Sequence, residues 1–421
     1  MCQAPVTGRW FNRLVRWMHR VRLYPTASQV DRLHFALRVT RQLYNALLDQ
    51  RRYAWTSRRI PVGTKAQYAE LTALRREDSV VAAVYRECED AVLHRLDLAF
   101  AAFFRRVKRG ETPGYPRFKP ASRWKQLEFP HGDRALKLDA RQRRVRIPGI
   151  GSVPLCKGRD VPDYGRAFIV EKNGRWYAVF ECERDVKPFS VTGQAVGIDR
   201  GVRVLAATSA GELIPNPRVA DRLRSKVERH QRGLERVSQR DAAGRVLNRR
   251  DPKRTAAVQR LARAKEREAN ARRDHAHKVA LDLVRRYDTM ALERLELRSM
   301  TRSAKGTLEE PGTNVRAKAG LNRSLLDAGF GMLARLIREK AEYAAREVIE
   351  VDARYSSQTC AACGHVARES REGPRFACVR CGHQADADVN AAQVIFLRAQ
   401  SAPTSEPHAG DKPVRRARRA A

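Results

Sequence analysis

Four cysteines near the carboxyl end constrain the fold of this chain more than any other feature. Cys360 and Cys363 form one C-x2-C pair, Cys378 and Cys381 form a second, and fourteen residues separate the two pairs. This spacing is close to that of a zinc ribbon, in which four thiolates bind one Zn²⁺ tetrahedrally. Residues 358–385 contain few large apolar side chains. Metal binding, which contributes about 10–16 kcal/mol in zinc-finger peptides, would therefore replace a hydrophobic core there.

Two disulfides or four free thiols are the alternative states of these cysteines. The sequence shows no secretory signal, and Cys2, Cys88, Cys156 and Cys182 are scattered without a pairing pattern. Both observations fit a reducing cytoplasm, where disulfides are rare. We therefore predict Zn²⁺ ligation and a cytoplasmic location.

Acidic residues stand at the ends of three apolar segments. Asp199 and Glu293 each end a strand-like run, and Asp386 and Asp388 precede a helical pattern. Each acid alone is most simply a salt-bridged residue or a helix cap. Together they are typical of a site for Mg²⁺ or Mn²⁺, which prefer oxygen ligands. Because two such ions about 3.5–4 Å apart can catalyse phosphodiester hydrolysis, the residues predict a metal-dependent nuclease.

The charge of the chain indicates a polyanionic partner. Lys and Arg number 84 against 47 Asp and Glu, which gives a formal net charge of +37 over 421 residues. Such an excess attracts nucleic acid. No apolar run approaches the roughly 18 residues that span a bilayer, so we expect no membrane partner. The length favours two to four domains.

The first half of the chain predicts a β-barrel with a helical insert. Alternating apolar and basic residues over 18–25 predict a strand, and a helix should follow from a capping box of Thr26 and Gln29. A second helix is expected over 79–109. Short strand patterns between 124 and 182, with a hairpin turn at Asn173-Gly174, would close with the first strand into a small barrel.

The second half predicts an α/β nuclease core. The strands around Asp199 form a meander typical of an RNase H-like fold, and the zinc ribbon is inserted before the last helix. The arginine-rich segment 218–286 should form two helices that break near Asp251-Pro252, with a face for the RNA backbone. Helical spacing predicts one further helix over 324–348. The predicted fold class is therefore α+β with several domains.

A basic and aromatic segment supplies candidate nucleic-acid contacts. Tyr115, Arg117 and Lys119 alternate with glycine, proline and phenylalanine between 114 and 119. Such interleaving suits base stacking combined with phosphate pairing. A structural β-edge is the alternative, and the sequence does not separate the two.

Four motifs follow one another along the chain. They are Gly-Ile-Asp-Arg-Gly at Asp199, Ala-Leu-Glu-Arg-Leu at Glu293, Ser-Ser-Gln-Thr-Cys-x2-Cys-Gly at Cys360, and Asp-x-Asp-Val-Asn-Ala-Ala from Asp386. In this order they resemble the TnpB family, transposon-encoded RNA-guided nucleases that are similar to type V CRISPR effectors and carry a RuvC-like domain. The segment that begins at Tyr44 resembles the family's N-terminal motif, which adds Tyr44 to the nucleic-acid candidates.

The resemblance implies site residues and cofactors. It places the RuvC catalytic acids, with Mg²⁺ or Mn²⁺, at Asp199, Glu293 and Asp388, and makes Asp386 the second choice for the third acid. Many members have Asp-Arg-Asp where this chain has Asp-Ala-Asp with Ala387 at the centre. That departure leaves both acids intact and changes only local phosphate contacts.

The resemblance also implies an activity and partners. We expect an RNA-guided endonuclease of an insertion sequence that cuts double-stranded DNA and takes part in DNA recombination. A guide RNA from the transposon end would supply specificity by base pairing, and the protein would read a short flanking DNA motif. A monomer at the bacterial nucleoid is favoured. The alternatives are a catalytically silent RNA-guided DNA-binding repressor and an RNase H-like DNA transposase that acts without guide RNA.

The same comparison divides the chain into expected domains. They are a wedge-like barrel at 1–25 and 112–188, a helical recognition insert at 26–111, a RuvC-like nuclease domain at 189–357 and 386–399, a zinc ribbon at 358–385, and a disordered tail at 400–421.

Overall fold

A computed structural model of the protein describes residues 14–158, 160–307 and 310–401. These residues form two compact units, one up to residue 185 and one from residue 186 onward. Each unit combines helices with more than one sheet, so the predicted mixture of α and β structure is confirmed at that level. Residues 1–13 of the expected barrel and residues 402–421 of the expected tail lie outside the described residues.

The first unit contains a long helical insert after its first strand. Its elements are β1 (Leu14–Leu23), α1 (Ala27–Arg58), α2 (Thr64–Glu77), α3 (Ser79–Ala82), α4 (Arg86–Lys108), a 3-10 helix (Ala121–Arg123), β2 (Gln126–Phe129), α5 (Gly132–Ala135), β3 (Lys137–Asp139), β4 (Arg144–Ile147), β5 (Gly151–Pro154), β6 (Tyr164–Lys172) and β7 (Arg175–Asp185).

Two local predictions in this unit are confirmed. Thr26 caps α1, with its side chain accepting the Gln29 N–H and the Gln29 side chain accepting the Thr26 N–H. β6 and β7 form an antiparallel hairpin around Asn173-Gly174. Both are short-range signals in which residues a few positions apart satisfy each other's backbone groups, and the sequence specifies such signals well.

Two antiparallel sheets carry the strands of the first unit. One has the order β1-β7-β6-β2 and the other the order β3-β4-β5. An antiparallel bridge between Leu23 and Leu155, with a hydrogen bond of 3.0 Å from Tyr24 N to Pro154 O, joins the two sheets. Helices α1 and α4 pack on β2 around buried residues that include Leu93 and Phe129.

The second unit begins with a strand meander and ends in a helix. Its elements are β8 (Ala195–Asp199), β9 (Val204–Thr208), β10 (Leu213–Pro215), α6 (Val219–Arg236), α7 (Pro252–Arg286), β11 (Thr289–Arg294), α8 (Leu297–Met300), α9 (Val315–Ala328), α10 (Phe330–Ala344), β12 (Glu347–Asp352), a 3-10 helix (Arg368–Ser370), β13 (Arg371–Glu372), β14 (Arg375–Ala377), β15 (Gln384–Asp386) and α11 (Ala387–Ser401).

A five-stranded sheet organises this unit. Its order is β10-β9-β8-β11-β12. Strands β8, β11 and β12 are parallel, β9 is antiparallel to β8, and β10 is antiparallel to β9. Side chains alternate between its faces, so Met290 and Leu292 join the core with α7 and α10, whereas Ala291 joins the core with Ile395 of α11. The sheet therefore lies between two helical layers.

The helix expected over 324–348 is wrong in its extent. Gly329, with a φ of +69°, separates α9 from α10, and α10 ends at Ala344 because the chain turns into β12. A left-handed residue ends one helix and redirects the chain. The predicted break near Pro252 is confirmed, since α7 begins there. None of the described helices is long and apolar enough to cross a membrane.

Candidate active site and metal centre

Two of the predicted acids lie side by side at one edge of the five-stranded sheet. Asp199 is the last residue of β8 and Glu293 is the next-to-last residue of β11. The parallel register pairs Ile198 with Leu292, so the next residue on each strand is one of the two acids. Carboxyl ends of parallel strands form the usual ligand-binding edge of such sheets.

Helix α11 brings the third acid to the same edge. The helix crosses β8 so closely that a Cβ on Gly197 would lie 2.2 Å from the Ala392 carbonyl oxygen. Only glycine permits this approach. Asp388 is the second residue of α11 and is buried, and its Oδ2 lies 3.8 Å from the position of a Cβ on Gly201, two residues after Asp199. The structure thus gathers the predicted trio.

Asp386 has a different position from Asp388. Its Oδ1 accepts the backbone N–H of Asp388 at 2.9 Å and that of Val389 at 3.3 Å, so it caps the amino end of α11. The cap satisfies helix donors that have no other partner and fixes the direction in which Asp388 enters the site.

Arginines hold the oxygens of these acids. The Arg203 Nη2 donates to Asp386 Oδ2 at 2.7 Å and to Asp388 Oδ2 at 2.9 Å, and the Arg371 Nη2 donates to Asp388 Oδ1 at 3.0 Å. The buried Arg200 donates to the main-chain oxygen of Glu293, which ties β8 to β11 beside the acids. None of the three arginines was predicted.

The electrostatics of the site match a group of close carboxylates, of which Glu293 and Asp388 are buried and Asp199 is half-buried. Burial, followed by the charges of Glu293 and Asp388, raises the pKa of Asp199 to about 7, although Arg371 and Arg200 act in the opposite direction. Burial also raises the pKa of Glu293, again opposed by Arg200. The charges of Glu293 and Asp388 therefore disfavour ionisation of Asp199, and a bound cation would relieve this repulsion.

The carboxylates do not converge as tightly as the cysteines do. Within the described part of the chain, the four cysteines are the one group of three or more potential metal ligands whose donor atoms all lie within 4.8 Å of one another. The oxygens of Asp388 instead point to Arg203 and Arg371.

The four cysteines form a compact cluster. Sγ–Sγ distances are 3.7 Å for Cys360 with Cys381 and 3.7 Å for Cys363 with Cys378. Four sulfurs at the usual Zn–S distance of about 2.3 Å would be separated by about 3.8 Å. A disulfide requires about 2.05 Å, and these four cysteines are free. The cluster therefore has the dimensions of a four-thiolate zinc site and not of two disulfides.

Two similar turns build this cluster. The N–H of Cys360 donates to the His365 carbonyl and that of Cys378 to the His383 carbonyl, each at 2.9 Å. Gly364 and Gly382 follow the second cysteine of each pair with φ of +71° and +73°, which other residues rarely adopt. Backbone N–H groups, first that of Cys381, lower the pKa of Cys378 to about 6. The turn thus favours a thiolate at Cys378. The His383 N–H lowers the pKa of Cys381, but contacts with Cys363, Cys378 and Cys360 raise it to about 12.

One residue joins the cysteine cluster to α11. The fully buried Asn390 donates from Nδ2 to the Thr359 carbonyl at 2.7 Å and accepts the Ala361 N–H at 3.0 Å on Oδ1. Asn390 lies two residues after Asp388, so the first cysteine turn and the candidate active site share one helical turn. In the sequence, the only indication that Asn390 joins the two sites was its place in the Asp-x-Asp-Val-Asn motif.

The candidate nucleic-acid residues divide into buried and exposed members. Tyr44 is 1% exposed and packs on Trp124, so its ring offers no face to nucleic acid. Lys119 pairs through its backbone with Asn45 and places its ammonium over the Tyr44 ring, which gives it a structural role. Tyr115 and Arg117 are exposed. Tyr115 stands edge-on to Phe100 and Phe103.

Family models match three parts of the chain. They are a "Helix-turn-helix domain" of OrfB from IS605-type elements at residues 17–59, an OrfB "Probable transposase" region at 179–304, and a "Cas12f1-like, TNB domain" at 330–395. The first of these covers most of β1 and all of α1.

Relatives match over longer stretches. "Putative RNA-guided DNA endonuclease InsQ" of Escherichia coli K12 is 33% identical over 72% of this chain and 72% of its own length. A "Putative RNA-guided DNA endonuclease" of Streptomyces pristinaespiralis is 28% identical over 91% and 89%. The solved structure of the mini-RNA-guided endonuclease CRISPR-Cas_phi3 aligns over 93% of this chain and 94% of that one, with 9% identity and a TM-score of 0.48. The chain belongs to the TnpB family, the OrfB proteins of IS605-type elements.

Proposed function

We propose that the protein is an RNA-guided DNA endonuclease of an insertion sequence, with Asp199, Glu293 and Asp388 as its catalytic acids. The observation that carries the proposal is the gathering of these acids at one sheet edge, from two strand ends and one helix start. The relatives that match most of the chain are named as RNA-guided DNA endonucleases. The arrangement of the three acids and the membership of the family therefore support the same activity.

The five-stranded sheet supports assignment of an RNase H-like, RuvC-type nuclease fold. The antiparallel β9 and β10 follow β8, and the parallel β11 and β12 extend the sheet on its other side. For the first unit, the bridge between Leu23 and Leu155 supports the proposed wedge-like barrel. The domain boundaries given above remain part of this proposal, with α1 to α4 as the recognition insert.

The acids fit a divalent metal ion with oxygen ligands. Glu293 is buried and Asp199 is half-buried. The pKa values of both are raised, and a bound cation would favour their ionised forms. Mg²⁺ or Mn²⁺ bound there would activate water and stabilise the leaving oxygen of the phosphodiester. Asp386, as the cap of α11, would orient Asp388 and not hold the ion. Arg203 would then lose its contact with Asp388 and keep its contact with Asp386.

The cysteine cluster fits Zn²⁺ with a structural role. Four cysteines complete a tetrahedral set, and structural zinc sites are closed in this way. Through Asn390 the ribbon would hold the start of α11, and through Arg371 it would contact Asp388. Zinc in this proposal supplies folding free energy to the ribbon and takes no part in the chemistry.

The proposed partners are a guide RNA from the transposon end and a double-stranded DNA target. The net charge of +37 suits both. Tyr115 and Arg117 stay proposed contacts. Tyr44 is buried and Lys119 packs its ammonium over the Tyr44 ring, so these two are no longer proposed as contacts. A monomer and a cytoplasmic, nucleoid-associated location complete the proposal.

The experiment that tests this function begins with expression of the chain together with its own flanking DNA. RNA that co-purifies would be sequenced, and Mg²⁺-dependent plasmid cleavage would be measured for the wild type and for Asp199→Ala. We expect one discrete RNA and guided cleavage that Asp199→Ala abolishes. Target binding without cleavage by the wild type would favour the repressor, and cutting of transposon ends without RNA would favour the transposase.

A further inference from the structure

Helix α6 carries a stripe of basic side chains on one exposed face. At 3.6 residues per turn, its five members fall within a sector of about 120°. The acidic residues of α6 lie outside this sector, and Leu223, Val227 and Leu234 form the half-buried face toward α7. The members of this α6 stripe are Arg222, Lys226, Arg229, Arg232 and Arg236.

The α6 stripe lacks intramolecular partners. Among the residues that the structure describes, none of its five side chains has a hydrogen-bond or ion-pair partner. Neighbouring arginines outside the stripe are paired: Arg224 with Asp221, and Arg240 with Glu235. Like charges three and four positions apart on a helix destabilise it. The stripe therefore costs stability in isolation, and a bound polyanion would offset that cost.

The loop that leads into α6 is bonded to the loop that follows Asp199. Just before α6, Asn216 donates from Nδ2 to the Val202 carbonyl at 2.8 Å, in the loop between Asp199 and Arg203. Asp327 accepts the Ala220 N–H at 3.1 Å and so fixes the first turn of the helix. From Arg222 to Arg236 the helix rises about 21 Å. The stripe is thus a charged track that follows a loop bonded to the segment after Asp199.

We propose that the α6 stripe binds the phosphate backbone of the DNA strand that is cut and directs it to Asp199, Glu293 and Asp388. This inference rests on the proposed function. Complementary charge identifies a nucleic acid, and the position of the first turn selects the strand that must pass the carboxylates. A track that served only to retain the guide RNA would have no need of a bond to the loop that follows Asp199.

The test compares two triple variants of the full-length protein with its co-purified RNA. Arg222→Gln, Lys226→Gln and Arg229→Gln remove three charges from the stripe. The control removes three paired charges with Arg224→Gln, Arg240→Gln and Arg245→Gln, where Arg245 contacts Asp241 at 3.0 Å. Binding of a fluorescent single-stranded DNA oligonucleotide is measured from low to high salt, and retained RNA is quantified separately.

We expect the stripe variant to bind the oligonucleotide more weakly than the control. Each lost phosphate contact reduces the slope of log K against log salt by about 0.7, so three should reduce it by roughly 2. The KM for target cleavage should rise by roughly tenfold at moderate salt, with retained RNA unchanged. A variant with Arg222→Lys and Arg229→Lys should bind like the wild type, because the charge is kept.

Three results would overturn the proposal. If the stripe variant loses its RNA, the stripe binds the guide RNA and not the DNA strand that is cut. If the two triple variants weaken oligonucleotide binding equally, the stripe acts only through the net charge of the protein. Loss of binding in the lysine variant, which keeps the charge, would contradict recognition of the phosphate backbone by charge. If the wild type cuts no guided target, the proposed function fails, yet oligonucleotide binding by the two triple variants still decides the role of the stripe.

Discussion

Asp386 and Asp388 are separated by one residue, yet their environments differ. Asp386 caps α11, whereas Asp388 is buried beside the chain that carries Asp199. A cap accepts main-chain N–H groups and can be replaced by asparagine at little cost. A metal ligand needs its charge, so the two positions should respond differently to the same substitution.

Substitution of each acid by asparagine separates the two roles. Asp388→Asn should lower the cleavage rate by more than about 100-fold, because even residues that only support a metal ligand cost about 10–100-fold. Asp386→Asn should stay within about tenfold, since asparagine also caps helices. Plasmid cleavage at saturating Mg²⁺ measures both. Equal loss in the two variants would contradict the assignment of Asp388.

The pKa of Asp199 predicts a pH-dependent metal requirement. Its raised value of about 7 means that protons compete with Mg²⁺ at lower pH. The half-saturating Mg²⁺ concentration should therefore rise as pH falls below about 7, by up to about tenfold per pH unit. Mg²⁺ titrations of the cleavage rate between pH 6 and 8 measure this. A requirement that does not change with pH would contradict the account.

Residue types and spacing were enough to predict the acids and cysteines, but not their arginine partners. An acid in an apolar strand costs free energy unless it has a partner, and two C-x2-C pairs have the ligand spacing of a zinc ribbon. Arg200, Arg203 and Arg371 are three among 84 Lys and Arg residues. What distinguishes them is contact across long sequence separations, such as that between Arg203 and Asp388, and only the folded chain shows it.

At the level of elements, the close crossing of α11 over β8 positions Asp388. A Cβ on Gly197 would lie 2.2 Å from the Ala392 oxygen and 2.7 Å from the Phe396 Cβ. Gly197→Ala should therefore destabilise the protein by about 1–3 kcal/mol or more and reduce cleavage, because α11 must shift.

A matched glycine substitution serves as the control. Gly233 lies within α6, and a Cβ there would meet nothing within 4 Å. Gly233→Ala should stabilise the helix by about 0.5–1 kcal/mol and leave cleavage intact. Thermal unfolding of the two variants gives the comparison. A Gly197→Ala protein as stable and active as the wild type would show that the crossing is not tight.

The cysteine ribbon should be required for cleavage through its contacts with α11. Cys363→Ser should remove bound zinc, measured by elemental analysis, and lower cleavage by more than about tenfold, since Asn390 loses its anchored partners. Cys156→Ser, outside the ribbon, should retain both zinc and activity. Full activity in a zinc-free Cys363→Ser protein would refute this coupling.

Elements with local signals were easier to predict than elements set by packing. The capped start of α1 and the hairpin at Asn173-Gly174 depend on neighbours in sequence. Helix α2 was missed because few of its side chains are buried. The prediction of a single helix over 324–348 did not account for Gly329, because the spacing of apolar residues does not reveal its left-handed conformation.

For the whole molecule, the net charge and the proposed nuclease site support the same interpretation. A charge of +37 provides non-specific attraction to any nucleic acid, which weakens as salt rises. Specificity must then come from elsewhere, and base pairing with a bound guide supplies it in the proposed function. The order of motifs allowed the family to be predicted, whereas the sequence contains no direct signal for guidance by RNA.

The most direct test of guided cleavage changes the guide and nothing else. The protein would be expressed with two versions of its flanking RNA that differ only in the guide segment, and each complex would be offered both matching plasmids with Mg²⁺. The account predicts that each complex cuts only the plasmid that matches its guide. Cleavage at the same site with either guide, or with the RNA removed, would contradict it.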